Sequence, residues 1–266
     1  LKVMGYRIEE DYGYIRCERV KDNGSSVISL SFPSVGATEN ALLLSVTAKG
    51  TTTIVNAARE PEITDLCNFL NSCGARISGA GESIITVEGV DRLHGTEHTV
   101  ICDRIVASTY LVAGAVTRGD IELKNTEPVY LNSVLPLLEE AGCSVNVRCK
   151  SIRVKCPMGL RRIDKIITQP YPGFPTDSQA LFTTLTSVAR GTSVIVENIF
   201  ESRYKHIGEL LRFGAKIHVE GRMAVVEGVH RLNGANVRAT DLRGGSAMIL
   251  AGLQARGTTE ITEIYH

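Results

Sequence analysis

Four short stretches carry the residue types that could do chemistry: Ser34-Val-Gly-Ala-Thr38, Asp103-Arg-Ile-Val-Ala-Ser108, Thr176-Asp-Ser-Gln179 and Asp241-Leu-Arg-Gly-Gly-Ser246. Each opens a helical pattern with small or polar residues, and three of them carry or adjoin an acid. Ser, Thr and Asp at such places ordinarily cap the helix, their oxygens accepting from the unpaired amides of the first turn. Those same amides lie at the positive end of the helix dipole, so several starts brought together can hold phosphate or carboxylate groups. Asp177 is therefore either a cap or a carboxylate able to take a proton. Capping explains any one start. Four starts of one pattern favour the anion reading.

The elements that must position these residues repeat along the chain. Ala48-Lys-Gly-Thr-Thr52, Thr117-Arg-Gly-Asp-Ile121, Ala189-Arg-Gly-Thr-Ser193 and Ala255-Arg-Gly-Thr-Thr259 read alike, and a second glycine recurs at Gly5, Gly74, Gly142 and Gly214. Both series repeat about every 70 residues, longer than the common solenoid periods. Val87-Glu-Gly-Val-Asp-Arg-Leu-His-Gly95 and Val226-Glu-Gly-Val-His-Arg-Leu-Asn-Gly234 repeat about two periods apart. Within a unit, Ala107–Thr117 has helical apolar spacing and should end at a glycine in the left-handed conformation. A strand such as Thr51–Val55, Ser193–Val196 or Thr259–Ile264 follows. A second amphipathic helix comes next, as in Glu62–Cys73, then two strands such as Ala75–Ser78 and Ser83–Glu88.

The chain of 266 residues balances 29 Lys and Arg against 29 Asp and Glu. Zero net charge argues against a nucleic-acid surface, which normally shows a basic face. A few arginines in one cleft still suffice for small anions. With 43% hydrophobic residues the chain can fill a core, but its apolar runs, such as Ala41–Leu44 and Ala247–Ala251, fall far short of the roughly 20 residues of a membrane span. Seven cysteines (17, 67, 73, 102, 143, 149 and 156) form no CxxC pair. They read as reduced structural thiols, and no spacing indicates a metal site or an organic cofactor.

Phe32-Pro-Ser-Val-Gly-Ala-Thr-Glu-Asn40, Glu60-Pro-Glu62, Phe174-Pro-Thr-Asp177, Glu197-Asn-Ile-Phe200, Ala239-Thr-Asp-Leu-Arg243 and the terminal Ile264-Tyr-His266 resemble the UDP-N-acetylglucosamine 1-carboxyvinyltransferases, in the family's order and spacing from end to end. The resemblance implies an inside-out α/β barrel of the enolpyruvyl transferase type. Its two domains are built from repeated βαβαββ units, with the active site between them. Residues 1–102 would be the C-terminal part of the first domain and 103–266 most of the second.

The implied reaction moves the enolpyruvyl group of phosphoenolpyruvate onto the 3-hydroxyl of UDP-N-acetylglucosamine and releases phosphate. It is the first committed step of peptidoglycan synthesis, and so of cell-wall biogenesis, cell shape and division, in a bacterial cytoplasm. The implied partners are those two small molecules, with no nucleic acid or membrane. Residue by residue, Asp177 matches the catalytic aspartate, and Ser34, Val35 and Gly36 match the backbone segment that holds the nucleotide sugar. Ile199 matches a uridine-sugar contact with Phe200 beside it. Arg203 and Arg243 match arginines on the phosphoenolpyruvate side, with Asp241 next to them. Guanidinium forks suit carboxylate and phosphate. Each has a plainer reading: Arg203 as a solvated helix charge, Arg243 in a local ion pair with Asp241, and His206 on a helix surface.

The resemblance also implies that the chain is incomplete at both ends. The Lys-Asn pair that the family carries near its N-terminus, its Gly-rich loop with the proton-donating Cys, and a further arginine past Ile-Tyr-His are not in this sequence, which also departs from the family at Gly244-Gly245. A non-catalytic nucleotide-sugar-binding or scaffold protein of the same fold is the alternative. A sibling enzyme acting on shikimate 3-phosphate would need an extra basic cluster that the sequence does not show. The 266-residue chain alone is expected to release no phosphate from phosphoenolpyruvate and UDP-N-acetylglucosamine. Turnover in a phosphate-release assay would show that the missing loop and lysine are dispensable.

Overall fold

The computed structural model describes residues 2–21 and 23–265; Leu1, Asp22 and His266, the last residue of the Ile-Tyr-His motif, lie outside the described residues. The chain divides into two compact units, 1–101 and 102–266. The first unit starts with a hairpin of β1 (Tyr6–Asp11) and β2 (Tyr14–Arg19). It continues as β3 (Ser26–Ser29), α1 (Val35–Ser45), β4 (Thr51–Val55), α2 (Pro61–Ser72), β5 (Arg76–Ser78) and β6 (Ile84–Glu88). Its main sheet has the order β3-β4-β6-β5, with β3 parallel to β4 and the other pairs antiparallel.

The second unit runs α3 (Arg104–Val116), β7 (Asp120–Lys124), α4 (Leu135–Glu140), β8 (Ser144–Arg148), β9 (Ser151–Lys155) and β10 (Lys165–Ile167). It then continues as α5 (Gln179–Ser187), β11 (Thr192–Val196), α6 (Lys205–Arg212), β12 (Lys216–Glu220), β13 (Met223–Glu227), β14 (Asn236–Arg238), α7 (Leu242–Gln254) and β15 (Glu260–Thr262). Its sheets are β7-β9-β8, β10-β11-β13-β12 and the parallel pair β14-β15. The order β10-β11-β13-β12 reproduces that of the first unit, so the sequence repeat is a repeat of topology. The middle repeat has no leading strand before α3 among the described residues, which leaves its sheet one strand short.

In the second unit α3, α5 and α7 pack on one another, and all nine residues of α5 are buried. Strands β9, β11 and β13 alternate in burial, one face toward the helices and the other toward solvent. A helix buried on every side must satisfy its polar side chains internally. Helix α5 does so for its hydroxyls with its own backbone: those of Thr183, Thr184, Thr186 and Ser187 donate to the carbonyls of Gln179, Ala180, Phe182 and Thr183 at 2.9, 3.2, 2.8 and 2.7 Å.

Glycines mark the joints. Gly5, Gly74, Gly142 and Gly214 all have positive φ, as do Gly50, Gly191 and Gly257. At the fourth joint the left-handed residue is Arg118 (φ 55°) and not Gly119, so the expected cap is displaced by one position. Gly89 and Gly228 are required for a different reason: a Cβ there would overlap the carbonyl oxygens of Ala48 and Ala189. Both amides donate at 2.9 Å across the same joint, to Gly50 and Gly191. Gly228→Ala is therefore expected to destabilise the protein by about 1–3 kcal/mol. Gly208→Ala, on the exposed side of α6 with nothing near an added Cβ, should stabilise it by up to about 1 kcal/mol. Urea unfolding of both variants checks the pair, and equal effects would refute the close-approach explanation.

Candidate active site

Three of the four helix starts cap as their residue types predict. The Ser34 hydroxyl accepts from the Ala37 amide at 3.3 Å. Asp103 Oδ1 accepts from Ile105 and Val106 at 2.7 and 3.0 Å. Asp241 Oδ1 accepts from Arg243 and Gly244 at 3.0 and 2.8 Å. Thr176–Ser178 differs. It forms a 3-10 turn ahead of α5, and no side chain caps either helix there.

Freed from capping, Asp177 faces cations. Arg203 Nη2 donates to its Oδ1 at 2.5 Å and Arg243 Nε lies 3.3 Å from the same oxygen. All three side chains are partly buried, with 34%, 25% and 26% of their surfaces exposed. Among the described residues no protein group donates to Oδ2, which leaves that oxygen open to a ligand's proton. Arg203 also donates to the Thr176 hydroxyl at 3.3 Å, and its guanidinium lies over the Phe200 ring, 4.7 Å from the centroid. Each guanidinium carries five N–H donors, so most of them stay available to an anion.

The structure therefore brings Asp177, Phe200, Arg203 and Arg243 together. The simple Arg243–Asp241 ion pair does not form, because Asp241 is engaged by backbone amides while the Arg243 side chain reaches Asp177. Burial pushes the Asp241 carboxyl up, but the Gly244 and Arg243 amides, His206 and Arg203 outweigh it and hold it below the ordinary carboxylate value. Arg203 is likewise no solvated helix charge. It lies ahead of α6 and is paired. Ser34, Val35 and Gly36 belong to the first unit, where they open α1 and present its first-turn amides at the positive end of the dipole.

Glu197, the first residue of the Glu197-Asn-Ile-Phe200 motif, organises this region. Only 1% exposed, it accepts at Oε1 from the Thr168 hydroxyl (2.9 Å) and the amides of Ile199 (2.8 Å) and Phe200 (3.1 Å), and at Oε2 from the Thr176 hydroxyl (2.8 Å). The signal was there: an acid directly after the apolar β11, where the chain turns away. Tyr204 ties the same loop down, its hydroxyl 3.0 Å from the carbonyls of both Ile195 and Arg222, and burial pushes its pKa up to about 12.

His206 is a correction to the sequence reading. It is 2% exposed, not on a helix surface, and its Nε2 has no hydrogen-bond partner. The first turn of α6 points inward, toward the start of α7: a Cβ on Gly244 would sit 3.4 Å from the His206 Cβ and would overlap the Thr240 hydroxyl. Gly244 thus leaves room for the Thr240 hydroxyl. Among the described residues, no group of three or more His, Cys, Asp or Glu is placed to hold a metal ion, all seven cysteines are free, and no helix is long and apolar enough to cross a membrane.

The model of the EPSP synthase (3-phosphoshikimate 1-carboxyvinyltransferase) family matches residues 1–266. The chain belongs to that family. It is 50% identical over 266 residues to UDP-N-acetylglucosamine 1-carboxyvinyltransferase 2 of Caldanaerobacter subterraneus subsp. tengcongensis, covering 100% of this chain and 64% of the relative. It is 51% identical over 269 residues to the UDP-N-acetylglucosamine 1-carboxyvinyltransferase of Finegoldia magna, covering 100% and 63%. The chain thus spans less than two thirds of the length of these curated relatives. Among solved structures, the enolpyruvyl transferase NikO from Streptomyces tendae superposes with a TM-score of 0.87 at 26% identity, covering 100% of this chain and 66% of that one. The EPSP synthase from Acinetobacter baumannii, at 20% identity and a TM-score of 0.71 over 100% of this chain and 65% of its own, shares the fold. The α/β enolpyruvyl transferase fold expected from the sequence is the fold of this family member.

The buried imidazole makes this enolpyruvyl transferase relative sensitive to acid. Burial, helped by the Arg203 charge and opposed by Asp241, lowers the His206 pKa from 6.5 to about 4. Between these values the unfolded chain binds more protons than the folded one, so stability is lost as pH falls through that window. The shift corresponds to about 3 kcal/mol. Urea midpoints between pH 7 and pH 4 should show a loss of that order, and His206→Gln should flatten it. An unchanged slope in the variant would place the sensitivity elsewhere.

Proposed function

We propose that this chain carries the substrate contacts of a UDP-N-acetylglucosamine 1-carboxyvinyltransferase, with residues 1–102 and 103–266 as parts of the two domains of such an enzyme. The observation that carries the reading is that Arg203 and Arg243 converge on Asp177, which caps no helix. A carboxylate held at one oxygen and open at the other can take the proton of the sugar 3-hydroxyl as that oxygen attacks the enol carbon of phosphoenolpyruvate. The two guanidinium forks bind the carboxylate and phosphate of the second substrate. The addition also places a proton on the methylene carbon of phosphoenolpyruvate, and expulsion of phosphate from the resulting tetrahedral adduct, with loss of a proton from the new methyl group, leaves the enolpyruvyl ether.

In this reading the first-turn amides of α1 at Val35 and Gly36 hold the phosphates of the nucleotide, beside the Ser34 cap, whose own amide donates to the Phe32 carbonyl at 2.7 Å. Ile199 and Phe200 line its uridine and sugar, and Asp241 fixes the start of α7 so that Arg243 reaches Asp177. The names of the curated relatives support this substrate pair over shikimate 3-phosphate. The same reading assigns the protein to peptidoglycan synthesis in a bacterial cytoplasm.

UDP-N-acetylglucosamine at about 100 times its Kd should stabilise the chain by about 2.7 kcal/mol, seen as a raised unfolding midpoint. Asp177→Ala should weaken that binding by about tenfold, or about 1.4 kcal/mol. No midpoint shift at millimolar nucleotide sugar would sink the substrate assignment. Unchanged affinity by calorimetry in the variant would sink the role of Asp177.

A further inference from the structure

Glu197 meets three separate segments. Thr168 follows β10, Thr176 lies in the 3-10 turn ahead of α5, and Ile199 and Phe200 follow β11. A buried carboxylate without donors costs several kcal/mol. This one has four, which match the roughly four lone-pair sites of its two oxygens.

The directions of these bonds are fixed by chemistry. A guanidinium can only donate, so in the Arg203–Thr176 contact the threonine oxygen is the acceptor. Its single proton is then committed to Glu197 Oε2. On the other side the Thr168 oxygen accepts from the Asn198 amide at 2.8 Å, so its proton goes to Glu197 Oε1. Glu197 thereby orients the Thr176 hydroxyl with its lone pairs toward Arg203, while its other oxygen sets the backbone of Ile199 and Phe200. Phe200 in turn lies under the same guanidinium.

We propose that Glu197 is a positioning residue that aligns Arg203 through the Thr176 hydroxyl and the Ile199–Phe200 backbone through its amides, coupling the two sides of the candidate site. The proposal rests on the reading of the site given above. A carboxamide at 197 keeps only part of this arrangement: with its oxygen toward the amides, its NH2 donates to the Thr176 oxygen and the Thr176 proton loses its acceptor. A shorter carboxylate cannot reach both segments.

Calorimetry with UDP-N-acetylglucosamine on the 266-residue chain tests this through four variants. Glu197→Gln and Thr176→Val should each weaken binding about tenfold, the loss expected for a misaligned charge-assisted contact. The double variant should be no weaker than the worse single one, as for residues in one network. Thr176→Ser, which keeps the hydroxyl and loses only the methyl, should stay within about twofold of the parent chain. A packing role for Thr176 would give the reverse order, with Val tolerated and Ser impaired, and would overturn the proposal, as would additive losses in the double variant. If the parent chain itself binds no nucleotide sugar, the functional reading fails and the coupling is decided without ligand. Urea midpoints of the same variants should then be non-additive, and additive midpoints would overturn it. Should Glu197→Gln fail to fold, the Val and Ser variants of Thr176 carry the test alone.

Discussion

A helix enclosed by sheets has no side on which water can solvate it, and the second unit is organised around that constraint. Helix α5 meets it for its hydroxyls by turning them back onto its own carbonyls, so a run rich in Thr and Ser can occupy the interior, while the buried Gln179 carboxamide at its start has no hydrogen-bond partner among the described residues. The same constraint places the candidate chemistry at the helix ends. Asp177 stands just ahead of α5, Asp241 caps α7, and the two helices pack together. Arg203 and Arg243 meet at one carboxylate because neighbouring buried helices start near one another.

Three acids in this region differ in their partners. Asp241 is engaged by amides and holds a helix start in place. Glu197 is engaged by hydroxyls and amides and joins three segments. Asp177 is engaged by guanidinium groups alone, which leaves one of its oxygens uncommitted. Residue type does not distinguish these roles; the donors that surround each acid do. His206 completes the contrast as a base kept neutral by burial, which adds nothing to anion binding but makes the fold sensitive to acid.

Much of the architecture was legible in the chain. The recurring glycines and the Val-Glu-Gly-Val motifs marked the joints, and Thr51–Val55 was read as the strand it forms. Helix limits moved by one to three residues, because caps and the preceding loops decide where a helical pattern actually begins. At Arg118-Gly119 the left-handed residue shifted to the arginine, and the middle repeat lost its leading strand. Local pattern sees neither effect.

The sequence by itself determined the repeat, the family, and which residues could bear charge at helix starts, since these follow from residue type and spacing. It could not determine which start was a cap and which was free, because capping and catalysis use the same carboxylate at the same local position. The tertiary structure decided that by supplying two guanidinium groups to Asp177, two backbone amides to Asp241 and four donors to Glu197. It also buried His206, whose place in the sequence reads as surface. The Asp241 cap follows the local capping rule, but the arginines at Asp177 and the threonines at Glu197 lie tens of residues away along the chain, where no spacing rule reaches.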